Sequence, residues 1–385
     1  MAATNPLRAD TGTERLGIYL HVPFCRTRCR YCDFYRVGMQ DGRMAGFLAA
    51  LHREIDGWGE LHGRAVDTVF LGGGTPSLLT PPQLAEVLEH LRQRFRIAGD
   101  AEITAECNPS DLTPERLQGF RRAGINRLSL GVQSLQDREL RLIGRRHDAR
   151  GAERAVRDAR VAGFTNLSLD LILGLPGQTR AGFRATVERA IALAPEHLSV
   201  YILEIHAGQE VDLLRRRRPR LFPSEDEQAD RYLWLVERLA AAGLERYEIS
   251  NFARPSRESR HNLKYWRCQP CLGLGPAAHS LIGGRRFAHP RDLTAYVEDP
   301  ARVEPVPSDP AQERLFLGLR LAGGLPVERL AGDLELPVPT LLSRCRDLRP
   351  YVEIDGGNVR LTARGALLST SVLAELLDTR AVVHS

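Results

Sequence analysis

Three of the chain's seven cysteines, Cys25, Cys29 and Cys32, are spaced C-x3-C-x2-C on a short stretch that ends Asp33-Phe34. Thiolates this close together suit a metal centre. A structural zinc ion takes four closed ligands, and no fourth Cys or His follows at finger spacing. A cubane iron–sulfur cluster held by three thiolates leaves one iron open to an exchangeable ligand. Three reduced cysteines packed in a core would need no metal at all. Against that reading, Arg26, Arg28 and Arg30 make the loop polar and are expected to lower the thiol pKa values.

Other segments carry polar groups in positions where chemistry is done. Gly72-Gly-Gly-Thr-Pro76 follows an apolar run, and glycines there allow the main chain to approach a ligand closely; read alone, the same run is a turn. Thr104-Ala-Glu-Cys-Asn-Pro109 puts Glu106 at the end of another such run. Cys107, its neighbour on a strand, points the opposite way into a core. Asp170 interrupts the apolar stretch Leu169–Leu173 and needs a hydrogen-bond partner there. Cys268 and Cys271 form a C-x-x-C pair without the βαβ context of a redox motif, and Gly273-x-Gly275-x-x-Ala278 lacks the first βα turn of a dinucleotide site. Both read as structural or incidental.

The wording Tyr19-x-His21-x-Pro23-Phe24-Cys25, with the cysteine spacing, resembles the radical S-adenosylmethionine (radical SAM) superfamily. Within it, the segment is similar to the HemN/HemW family of oxygen-independent coproporphyrinogen oxidases and haem chaperones. The resemblance runs from about residue 16 to about residue 377. It implies a [4Fe-4S] cluster on Cys25, Cys29 and Cys32, with SAM chelating the open iron. It also implies SAM contacts from Tyr19, Tyr31, Gly73, Gly74, Thr75, Glu106, Gln133, Arg145 and Asp170; Arg146 stands beside Arg145 and competes for its role. His261-Asn-Leu-Lys-Tyr-Trp266 matches an H-N-x-x-Y-W motif that one branch of the family uses for haem, which makes His261, Asn262, Tyr265 and Trp266 the haem candidates. Imidazole is a common axial ligand of haem iron, although a His beside two aromatics also occurs as a satisfied surface cluster.

Two functions follow from the resemblance. One is a haem carrier that delivers haem to acceptor proteins such as membrane-associated respiratory enzymes. The other is the oxidase itself, which decarboxylates coproporphyrinogen III. The oxidases carry a fourth cysteine where this chain has Phe34, and a longer N-terminal arm. Both departures favour the carrier.

These residues need a scaffold that collects strand ends. Short β-rich runs near 17–21, 66–71, 102–106, 126–131, 166–173 and 197–203 alternate with amphipathic segments at about 40–57, 82–95, 113–123, 149–162 and 180–193. Thr113-Pro114-Glu115 reads as cap, first-turn proline and first-turn acid. Six βα units predict an α/β fold, an incomplete (β/α)6 TIM-like barrel with its reactive groups at the C-terminal ends of the strands. Residues 1–15 are expected to fray, 16–250 to form the barrel and 251–300 to connect. Residues 301–385 are expected to form a small winged-helix-like α+β domain, with segments near 311–322, 326–333 and 338–349 and a hairpin turning at Gly356-Gly357.

Composition sets outer bounds. At 385 residues, 43% hydrophobic and 26% charged, the chain reads as an ordinary globular protein. No apolar stretch approaches the roughly 18 residues of a membrane span, and no signal peptide is seen, so a cytoplasmic location is expected. Net charge is +5, a weak argument for nucleic acid. The dense cluster Arg215–Arg220 reads as a solvated, proline-bearing loop. A homodimer is compatible with these features.

Overall fold

A computed structural model of the chain describes residues 14–40 and 42–377, so the expected frayed terminus lies almost entirely outside the described residues. Six parallel strands form the centre: β1 (Leu16–Val22), β2 (Ala65–Gly73), β3 (Arg96–Cys107), β4 (Arg127–Gln133), β5 (Leu167–Leu173) and β6 (His197–Ile202). They pair side by side in chain order and do not close, which is the incomplete barrel that the alternation predicts. Between them run α1 (Arg43–Gly57), α2 (Pro81–Arg94), α3 (Pro114–Ala123), α4 (Ala149–Val161) and α5 (Arg180–Ala192). Their starts are set by local chemistry. The Thr80 hydroxyl accepts from the Gln83 amide in a reciprocal capping box, and the Thr113, Asp148 and Thr179 side chains each accept the amide three residues on, without the reciprocal bond. Each cap contributes about 1 kcal/mol.

The strands have two unlike faces. Ile18, Leu20, Val69, Leu71, Ile103, Leu128, Leu130, Leu169 and Leu171 pack outward into the principal core. Truncating any of these leucines to alanine costs about 2–5 kcal/mol. The inner face is polar: Thr68, Glu102, Thr104, Arg127, Ser129, Ser168, His197 and Ser199 are all buried there. Parallel register brings these residues to common heights, pairing Glu106 with Ser129, Gly131 with Asp170, and Asp170 with Ser199.

Residues beyond 250 cover both edges of this sheet. β7 (Asn251–Ala253) pairs antiparallel with β6, while β8 (Cys271–Leu274) adds in parallel to β1 and leads into β9 (His279–Ile282) and β10 (Arg285–Ala288). Between β7 and β8, α7 (Arg260–Trp266, with α6 at Glu225–Ala240 before it) lies against the inner face. The Glu102 carboxylate accepts the amides of Arg260 and His261 at 3.3 and 3.2 Å, and Lys264 pairs with Asp67 at 2.8 Å. This helix therefore plugs the open barrel.

The C-terminal unit has its own core around Leu330, Leu341, Val359 and Leu373. Helices at Pro310–Gly318, Val327–Asp333 and Val338–Asp347 precede a hairpin whose turn residues Gly356 and Gly357 take φ of 54° and 80°, the left-handed pair a two-residue turn requires. One expectation is corrected. Arg215, Arg216 and Arg217 end a helix over Glu210–Arg217, because Glu210 and Asp212 in its first turn and arginines in its last suit the helix dipole, and Arg216 pairs with Asp212 at 3.0 Å.

Candidate functional site

At the C-terminal ends of β1–β6 opens a cavity of about 1000 Å³. The loop after β1 carries Cys25, Cys29 and Cys32, all free thiols, half-buried and lining it. The loop is held from three sides: the Arg30 amide donates to the Ile143 carbonyl at 3.2 Å, the Gln209 side chain to the Tyr31 carbonyl at 3.2 Å, and Arg36 to the Cys32 carbonyl at 3.3 Å. The flanking arginines do not lower the Cys25 thiol as expected. Burial pushes it up, while Arg26 pairs with Asp111 and Arg30 with Glu210. Among the described residues no three Cys, His, Asp or Glu side chains close on one point as a single ion needs. A four-iron cluster takes its thiolates at separate corners, so this donor set suits a cluster rather than a lone zinc.

Facing the cysteines is the Gly72–Thr75 turn. Gly73 has φ 102°, and a Cβ there would meet the His21 ring at 2.5 Å. A Cβ on Gly74 would meet the Val22 and Phe24 carbonyl oxygens at 2.8 Å. Glycine at both positions lets the turn pack directly on the end of β1, and both residues line the cavity. Thr75 is buried, its hydroxyl 3.3 Å from Cys25 Sγ and 3.2 Å from Asn108 Nδ2. Glu106 accepts the Gly73 amide at 3.2 Å, and burial, then the nearby Asp170 charge, pushes its carboxyl up to about 8. Asp170 accepts from Ser129 at 2.9 Å; its pKa is raised by burial.

Arg145 and Arg146 both line the cavity but have different partners. Arg145 bonds to Asn108 Oδ1 and the Gly131 carbonyl, each at 2.5 Å, and to Cys29 Sγ at 3.5 Å, while its buried Nε has no partner among the described residues. Arg146 turns to Asp111 at 3.1 Å. Gln133 sits at φ 66° beside a register shift between Gly131 and Gln133, which aims its side chain into the cavity. Tyr31 lines the cavity too, packed on Ile143, Ile172 and Leu175.

Two expected site residues lie elsewhere. Tyr19 is on the inner face below Gly72, 3.2 Å from His21 Nδ1 and outside the cavity lining. His261 is also outside the lining: it is 1% exposed, stacked on Phe70 and Tyr19, with Nδ1 2.9 Å from the Thr68 hydroxyl and Nε2 2.9 Å from the Tyr265 hydroxyl. His261 and Tyr265 share a face of α7 one turn apart, and His261 sits the deeper of the two, while Asn262, Tyr265 and Trp266 line the cavity. Cys271 lies beside them, 3.8 Å from His261 Nε2, its thiol pushed up to about 12 by burial. Among the residues sequence reasoning missed, Asn108 and Ser129 had a signal, as polar residues in step with Glu106 and Gln133; Arg36 and Arg320 had none.

A model of the radical SAM superfamily matches residues 19–190, and one of the HemN C-terminal domain matches residues 307–368. The chain is 38% identical to heme chaperone HemW of Mycobacterium tuberculosis over 94% of its length and 95% of the relative's. To heme chaperone HemW of Bacillus subtilis it is 34% identical, over 93% and 98%. Among solved structures it resembles coproporphyrinogen III oxidase HemN of Escherichia coli, with TM-score 0.80, 26% identity, and coverage of 96% of this chain and 91% of that one.

Proposed function

The chain belongs to the HemW family of the radical SAM superfamily, and on that premise we propose that it is a haem carrier that binds haem beside a SAM-ligated [4Fe-4S] cluster and delivers the haem to acceptor proteins such as respiratory enzymes. The observation that carries this reading is that one cavity is lined both by the three cysteines and by Asn262, Tyr265 and Trp266 of the histidine motif. Two ligands in one cavity can sense each other. No helix of the described residues is long and apolar enough to cross a membrane, so an acceptor in a membrane would be met from outside it.

Cys25, Cys29 and Cys32 would hold the cluster, which with SAM supplies one-electron chemistry at an open iron. The chain's own residues do the rest. Gly73 and Gly74 offer main-chain groups, Glu106 and Asp170 offer carboxylates to a cationic ligand, and Arg145 and Gln133 offer donors to its polar groups. Glu106, pushed up to about 8, would release a proton as such a ligand binds near neutral pH. Trp266 and Tyr265 supply flat apolar surface, where burial of a macrocycle would give most of the binding energy. In this reading His261 positions Tyr265 and becomes an iron ligand only if its two ring contacts open.

The likeness to HemN favours a second reading, the oxidase. Anaerobic incubation with SAM, reductant and coproporphyrinogen III separates the two. The carrier takes up haem stoichiometrically and forms no protoporphyrinogen; multiple-turnover decarboxylation would restore the oxidase.

A further inference from the structure

The C-terminal unit contributes a cation to the cavity that none of the motifs accounts for. Arg320 lines the wall formed with Trp266, Leu317 and Leu367. Its guanidinium lies 4.6 Å from the centre of the Phe316 ring and 6.0 Å from that of Trp266. Of its five N–H donors, one reaches the Thr370 hydroxyl at 3.5 Å, the limit of a hydrogen bond, and the buried Nε has no partner among the described residues. Two carboxylates face it from further off. Glu204 is 83% exposed in its side chain and oriented to His206, and Glu248 is buried, accepts the Ser250 amide and has its pKa raised by burial. Neither forms an ion pair with Arg320 among the described residues. Desolvation acts on Arg320 itself, lowering its pKa. A half-buried guanidinium without a carboxylate partner leaves donors unsatisfied, and its planar fork is matched to a carboxylate.

We propose that Arg320 anchors a carboxylate of a flat, apolar ligand lying in the cavity against Trp266, Leu317 and Leu367. This rests on the haem reading above, under which the carboxylate is a propionate of the tetrapyrrole and the apolar wall takes its ring. Arg320 belongs to the C-terminal unit and Trp266 to the barrel plug, so a ligand bridging them would tie the two units together.

The test uses the full chain with its cluster reconstituted, titrated with ferric haem and with haem dimethyl ester and followed by Soret absorbance. Wild type should bind the free acid at least about tenfold more tightly than the diester, which lacks carboxylates. Arg320→Ala should lose that preference and bind both as wild type binds the diester. Arg320→Lys should restore part of it, since a point charge replaces the fork. SAM affinity and cluster absorbance should stay at wild-type values in both variants, which separates loss of the anchor from misfolding. If Arg320→Ala kept the wild-type preference, or if wild type had none, the anchor would be overturned while the haem reading stood. If wild type took up neither compound, the haem reading itself would fail and the anchor with it.

Discussion

His261 makes the most exacting prediction, because its position beneath the cavity has consequences in the absence of any ligand. Burial, then the positive charges of Lys264 and Arg127, holds its ring at about 3, against an ordinary value of 6.5. On lowering pH from about 7.5 to about 5, the unfolded chain takes up a proton at this residue and the folded chain does not. The folded-state pKa is depressed, so stability is full above about 6.5 and falls as pH drops toward 3. At roughly 1.36 kcal/mol per pH unit below 6.5, the loss attributable to His261 by pH 5 is about 2 kcal/mol. His21 and His147, each lowered to about 4, and His197 lose stability in the same direction. They are present in both proteins compared, so the difference between wild type and His261→Gln isolates one ring. Glutamine cannot ionise but can still reach the Thr68 or Tyr265 hydroxyl. Urea unfolding of haem-free protein at pH 7.5, 6 and 5 should show the stability gap between wild type and His261→Gln shifting by about 2 kcal/mol, with wild type losing more. Parallel pH dependences would refute the reasoning and return His261 to a solvated position where it could offer a nitrogen directly to iron.

Cys29→Ala should lose most bound iron and the broad cluster absorbance, whereas Cys271→Ala, whose thiol lies behind Tyr265, should keep both. Retained iron in the first or lost iron in the second would reverse the assignment of the two cysteine groups. Glu106→Gln and Asp170→Asn should each weaken SAM binding by about tenfold with the cluster retained, and wild-type calorimetric affinity in both would contradict the site. Calorimetry near pH 7 in buffers of different ionisation enthalpy should also reveal proton release on SAM binding to wild type but not to Glu106→Gln, since the carboxyl is pushed up to about 8. Gly74→Ala forces a Cβ against two carbonyl oxygens at 2.8 Å and should cost about 1–3 kcal/mol, read as a lowered Tm; an unchanged Tm would mean that the turn can yield.

Local order was legible because it has local causes. The period-2 strands, the proline and threonine caps and the glycine hairpin follow from neighbours in sequence, and C-x3-C-x2-C, Glu106 and Asp170 stood out because each breaks an apolar pattern at a strand end. The edges of the sheet were not legible. β8 adds to β1 across some 250 residues of chain, and nothing local in Cys271–Leu274 distinguishes it from a turn. The same holds for α7. Its motif reads as one cluster, and His261 and Tyr265 do share a helix face one turn apart, yet only packing against Phe70, Thr68 and Glu102 decides that His261 sits deep in the barrel while Tyr265 and Trp266 meet the cavity. Arg320 shows the limit most plainly: an arginine after an ordinary helix carries no signal, and it becomes a cavity cation only because the C-terminal unit folds over the strand ends. Residue types and their spacing mark out which side chains can do chemistry. Which of them share a cavity was decided by tertiary packing, because that depends on the faces turned together by strands far apart in the chain.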